Sequence, residues 1–153
     1  MQKEKMNNKG FSLVELIIVV AIMAVLVVAL APQYLKFVER SRNSTDVNNA
    51  TALVTATQVY AADPDAATPF PAGKTFTVTV TSTGTTVTGE AASAATAAFG
   101  DAALSDYANI KCKSKTTWTQ YVIVGTVQTN GSITFAYSST PGGTPDPFAD
   151  AMK

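Results

Sequence analysis

Histidine is absent from the 153 residues, cysteine occurs once, at Cys112, and charged side chains make up only 14% of the chain. Each scarcity removes a class of function. Without histidine there is no imidazole to serve as a base near neutral pH or to ligate a transition metal. One cysteine cannot close an intramolecular disulfide, and with no histidine to pair with, its thiol lacks the usual activating base. Basic and acidic residues balance at eleven each, so there is no general positive field to draw in nucleic acid. The acidic residues are scattered, and the reading is of a non-enzyme with no cofactor and no metal.

What the chain does have is a long apolar run. Residues 11–31 carry a single charge, Glu15. At 1.5 Å per helical residue they reach about 31 Å, one hydrocarbon thickness, which predicts a membrane-spanning helix. Lys3, Lys5 and Lys9 stand before it, so the positive-inside rule keeps that end in the cytoplasm and sends the rest outward. A secretory signal would have a shorter apolar core with an Ala-x-Ala site after it; here the anchor is expected to stay. A carboxylate inside a span costs several kcal/mol unless it finds a partner, which makes Glu15 a functional residue by default.

Lys9-Gly10-Phe11-Ser12-Leu13-Val14-Glu15-Leu16, after a short polar, basic leader and before an apolar helix, resembles the class III signal of type IV prepilins. The resemblance covers about residues 1–62. It implies cleavage by a prepilin peptidase between Gly10 and Phe11, N-methylation of Phe11, and a role for Glu15 as partner of a Phe11 amine during assembly. It further implies that Pro32 kinks the helix, as a proline there does in many pilins. The absence of a second cysteine departs from those pilins that close their C-terminal region with a disulfide.

Past Pro32, residues 33–60 are rich in helix-compatible side chains, and Leu35, Val38, Val47, Ala50, Val54 and Ala61 recur at helical spacings, with a polar gap over residues 42–45. One helix of roughly 75 Å is expected from Phe11 to about Ala62, stopped by Asp63-Pro64-Asp65. Residues 75–81 alternate strictly, putting Phe76, Val78 and Val80 on one face, and Ser82-Thr83-Gly84 turns the strand back into residues 85–88. The alanine-rich stretch 90–109 reads as one or two short helices. Residues 118–128 and 133–137 flank Asn130-Gly131, which as a two-residue turn pairs Gln128 with Ile133, Thr126 with Phe135 and Val124 with Tyr137. Val122, Val124, Phe135 and Tyr137 then form one apolar surface with Trp118. The tail from Ser139, broken by five prolines and glycines, has no readable path.

Smaller features have plain readings. Lys111, Lys113 and Lys115 bracket Cys112 at alternate positions and fit a solvated strand edge better than a phosphate contact. Asp63 with Asp65, and Asp146 with Asp150, fit exposed turns better than calcium ligands. Asn43-Ser44-Thr45 and Asn49-Ala50-Thr51 match the N-glycosylation pattern but fall on an expected helix.

The expected fold is α+β, a long N-terminal helix packed on a small antiparallel sheet. Its division is a cleaved leader at 1–10, a transmembrane and assembly helix at 11–32, and a globular domain at 33–153 that includes the amphipathic half-helix 33–62. The resemblance implies a structural subunit of a type IV pilus. Its partners would be further copies of itself in a helical homopolymer, the prepilin peptidase, an inner-membrane assembly platform, minor pilins, and the cytoplasmic membrane before assembly; nucleic acid is not indicated. One alternative is a pseudopilin of a type II secretion or DNA-uptake system. Another, of a different class, is a bitopic membrane protein with a ligand-binding ectodomain.

Overall fold

Leu13–Ala61 contains a single proline and no glycine, and it folds as one α-helix, α1, of 49 residues. The computed structural model describes residues 10–153; residues 1–9, with their three lysines and most of the expected leader, lie outside the described residues. Pro32 sits inside α1, and helix is assigned on both sides of it. After Ala61 the chain turns at Asp63, whose Oδ1 accepts the Asp65 amide at 2.9 Å.

The chain divides into two units, one ending at Val38 and the other running from Glu39 to Lys153. In the first, the helix surface is apolar and bare: Leu13, Ile17, Val20 and Leu30 are each more than half exposed. Among the described residues α1 is the one helix long and apolar enough to cross a membrane.

The second unit is built from the rest of α1 and β1 (Thr75–Val80), β2 (Thr85–Thr88), α2 (Ala92–Asp101), a 3-10 turn at Tyr107–Asn109, β3 (Gln120–Val127), β4 (Ile133–Thr140) and α3 (Pro147–Ala151). The four strands form one antiparallel sheet in the order β2-β1-β3-β4. Phe76, Val78 and Val80 of β1 turn inward, as their alternation requires, onto Ala50, Leu53, Val54 and Ala56 of α1 and onto Ala95 and Phe99 of α2, all in one core. The long N-terminal helix packed on a small antiparallel sheet is the α+β layout expected. Of the helix face read from spacing, Ala50 and Val54 are buried, whereas Leu35 is exposed and Asp46, Leu53, Thr57 and Tyr60 are buried without having been marked.

The β3–β4 register differs from expectation by one residue. Gly125 opposes Phe135 and Ile123 opposes Tyr137, and Val127 rather than Gln128 faces Ile133. Three residues form the loop, not two: the Gly131 amide donates to the Gln128 carbonyl at 3.0 Å and the Gln128 amide to the Ser132 carbonyl at 2.7 Å. Gly131 takes φ +83°, the left-handed residue that follows a type I turn in three-residue hairpins. A slip of one exchanges the faces of a strand, so Tyr121, Ile123 and Val127 are buried beside Phe135 and Tyr137, and Val122 and Val124 lie on the opposite, half-covered face.

The tail also has a path. Asp146 caps α3, its Oδ1 accepting the amides of Phe148 and Ala149 at 3.0 and 3.1 Å, with Pro147 at the first helical position where its missing amide costs nothing. The same carboxylate accepts the Ser139 amide at 2.8 Å and hydroxyl at 2.9 Å, tying the tail to β4. That places Phe148, fully buried, flat on Tyr121 at 4.4 Å between ring centres and edge-on to Trp118 at 5.3 Å.

Candidate assembly site

Gly10 and Phe11 precede the helix, and Phe11 is 92% exposed. Ser12 and Glu15 then form a reciprocal cap: the Val14 amide donates to Ser12 Oγ at 3.3 Å, and the Ser12 amide donates to Glu15 Oε2 at 3.1 Å. Ser-x-x-Glu is the capping-box spacing, in which both side chains satisfy helix-start amides that have no partner within the helix. A carboxylate here also faces the positive end of the helix dipole. Glu15 therefore points back along the chain to within one residue of the Gly10–Phe11 junction. Gly10 and Phe11 stand immediately before the turn that Ser12 and Glu15 cap. Pro32 lies seventeen residues beyond Glu15, about 26 Å along the axis, and takes no part in this cap.

The role of Ser12 was readable from the capping-box pattern but was hidden by the apolar context. A pair of carboxylates further along the helix was missed altogether. Glu39 and Asp46, seven residues and two turns apart on α1, hold the loop 112–118 by its backbone. Glu39 Oε1 accepts the amides of Lys115, Thr116 and Thr117 at 2.9, 2.8 and 3.1 Å and the Ser114 hydroxyl at 2.6 Å. Asp46, with no exposed surface, accepts the amides of Lys113 and Ser114 at 2.7 and 2.9 Å and the Trp118 indole at 2.9 Å. Burial alone would raise the Glu39 pKa; the bonds from the Ser114 hydroxyl and the three amides outweigh it and hold the carboxyl well below its ordinary value of 4.5. Burial, with the Asp46 charge beside it, pushes the Cys112 thiol up to about 12.

The three lysines consequently do not lie on a strand. Residues 111–115 form a loop on which Cys112 and Ser114 are buried and Lys111, Lys113 and Lys115 are exposed. Asn43 of the first glycosylation-like triplet donates to Thr117 Oγ1 at 2.8 Å, so it belongs to the same joint. Asp150 pairs with Lys153.

The model of the prokaryotic N-terminal methylation motif matches residues 5–31. Over 59 residues the chain is 41% identical to the type IV major pilin protein PilA of Myxococcus xanthus (strain DK1622), a match that takes in 39% of this chain and 27% of that protein. In its N-terminal part the chain is similar to a type IV pilin and carries the N-terminal methylation motif. Gly10, Phe11 and Glu15 fall inside the matched motif, as does the apolar run that follows. No solved structure matches the chain at a significant level. The chain thus spans about a quarter of the length of the pilin relative.

Proposed function

We propose that this chain is a structural subunit of a type IV pilus. In this reading it is held in the cytoplasmic membrane by residues 11–31 until a prepilin peptidase cuts between Gly10 and Phe11, and is then polymerised outward. What supports the reading most is the combination at the start of α1: a bare apolar helix that carries one carboxylate, aimed at the junction where a new amine would appear. A relative that matches part of this chain is a type IV major pilin protein, and the subunit role is favoured over a pseudopilin on that footing.

The mechanism follows from dielectric and packing. When helices bundle away from water, the Glu15 carboxylate and the methylated amine of a neighbouring Phe11 neutralise each other, and the pairing fixes how far one helix slides past the next. Glu15 exchanges the Ser12 amide for a charged partner. Apolar side chains from Leu13 to Leu30 pass from lipid to protein, so their gain is packing rather than transfer from water. Subunits can therefore be added and withdrawn by an assembly platform at a modest free-energy change. Pro32 deprives the helix of one bond, and in the filament we place a bend or a short unwound stretch around residues 29–34.

Glu15→Ala tests the charge pair. The variant should be cleaved and should accumulate in the membrane, since one intramembrane charge is gone. Its filaments should be lost, because a neighbour's amine is left buried at about 3–5 kcal/mol per subunit. Shear-released and membrane fractions of wild type and variant are compared, and normal filament yield from Glu15→Ala would refute the pairing.

A further inference from the structure

Most of the basic charge left unpaired within the second unit gathers in one place. From Glu39 onward there are seven basic side chains; Arg42 meets Glu39 at 3.5 Å, Lys74 meets Glu90 at 2.9 Å, and Lys153 pairs with Asp150. Among the described residues this leaves Arg40, Lys111, Lys113 and Lys115 with no carboxylate within 4.0 Å. The three lysines, with Arg42 and Ser82, line an open pocket of about 570 Å³ that has no acidic residue in its wall. The two nearest carboxylates, Glu39 and Asp46, are turned inward and spent on the loop's own amides. A further bond, from the Cys112 amide to the Thr81 carbonyl at 2.9 Å, fixes the loop from its other side. The cations are thus set at alternate positions of a pinned segment before any ligand arrives.

The unpaired acid lies elsewhere. Asp63, Asp65, Asp101 and Asp106 are exposed with no cation within 4.0 Å; of these, Asp63 and Asp65 stand two residues apart on a tight turn just past the end of α1, and from Arg42 to Ala61 the helix rises about 29 Å. With seven basic side chains against nine acidic ones, the unit is not cationic as a whole. A nucleic acid or an anionic membrane is therefore offered no net attraction to compensate for desolvating the pocket. A second copy of the chain presents a compact pair of carboxylates in one-to-one ratio with the pocket.

We propose that the pocket formed by Arg42, Lys111, Lys113 and Lys115 receives the Asp63–Asp65 turn of another copy. The contact joins two different patches of the same surface, so repeating it builds an open helix rather than a closed ring. It rests on the pilus reading and adds to it a contact made by the folded units rather than by the apolar helices. Charge complementarity of this exposed kind sets register and partner choice more than strength.

The test uses full-length protein in cells that make wild-type filaments. Lys111→Glu/Lys113→Glu/Lys115→Glu and Asp63→Lys/Asp65→Lys should each cut the shear-released yield at least tenfold while the membrane pool stays level. The combined charge swap should restore yield to within about twofold of wild type. Independently of any variant, carbodiimide treatment of wild-type filaments mixed from isotopically light and heavy subunits should join a peptide bearing Lys111, Lys113 or Lys115 to one bearing Asp63 or Asp65 of another copy. Unchanged yield in both charge variants, or crosslinked filaments lacking every such pair, overturns the inference. Normal filaments whose lysine variant has instead lost binding to phosphatidylglycerol vesicles or to single-stranded DNA would assign the pocket to a phosphate ligand. Absence of wild-type filaments would refute the pilus reading, and this contact with it.

Discussion

Glu39 and Asp46 decide where the second unit begins. Each carboxylate replaces the water that loop amides at residues 113–117 would otherwise need, and neither could be exchanged for an apolar residue without stranding several donors at about 1–3 kcal/mol each. Since hydrogen bonds depress the folded-state pKa of Glu39, its stabilisation is complete above about pH 4.5 and is lost as pH falls below that value; Asp146, held below 3.8 against the opposing effect of burial by the amides of Ala149, Ser139 and Phe148 and the Ser139 hydroxyl, adds a second loss at still lower pH. Thermal unfolding of the detergent-solubilised chain should therefore be insensitive to these groups from pH 7 to 5 and fall steeply from 4.5 to 3. Glu39→Gln should lower stability at pH 7 by about 1.5–3 kcal/mol, the value of hydrogen bonds to a charged group, and flatten the acid limb. A variant with wild-type acid dependence would remove Glu39 from the account. The sequence hid this pair because a charged residue on a helix is normally solvated, and residues 42–45 between them read as a gap in the apolar face.

At the level of elements, legibility followed how one-sided each pattern was. β1 alternates threonine with Phe76, Val78 and Val80, so only one face can be inside, and both its inward face and its turn into β2 were readable. β3 runs Tyr121, Val122, Ile123, Val124, apolar on both faces, and its choice passed to the hairpin loop. Asn130-Gly131 marked the turn correctly, but Gly131 serves as the left-handed third residue of a three-residue loop, a distinction of backbone geometry that the dipeptide does not encode. The true register puts Gly125 opposite Phe76, whose ring lies where a Cβ would project from residue 125. Gly125→Ala should consequently destabilise the fold by about 1–3 kcal/mol through overpacking, even though alanine suits a strand better than glycine. Chemical denaturation measures it, and a neutral or stabilising outcome would mean that Phe76 moves aside freely. The tail followed another logic: Asp146-Pro147 is a helix start in miniature, unreadable amid the prolines and glycines before it until Phe148 is seen to need burial.

For the whole molecule, the N-terminal helix was legible from beginning to end, because an uninterrupted apolar run with one carboxylate at a fixed distance from a glycine leaves few alternatives. Gly10, Phe11 and Glu15 were named from the sequence, and the structure adds the reciprocal cap between Ser12 and Glu15, which the sequence reading did not name. What the sequence could not reveal is the joint between α1 and the loop 112–118, since it depends on backbone amides, which every residue supplies alike. The central claim is that residues 11–31 become an assembly helix only after the chain is cut between Gly10 and Phe11. It is tested most directly by mass spectrometry of the amino-terminal peptide from surface material released by shear, with Gly10→Val as control. The account predicts a wild-type peptide that begins at Phe11 and carries one added methyl group, together with a Gly10→Val chain that keeps residues 1–10 and stays in the membrane. Sheared filaments whose subunits retain the leader, or a Gly10→Val protein processed and assembled like wild type, would contradict it.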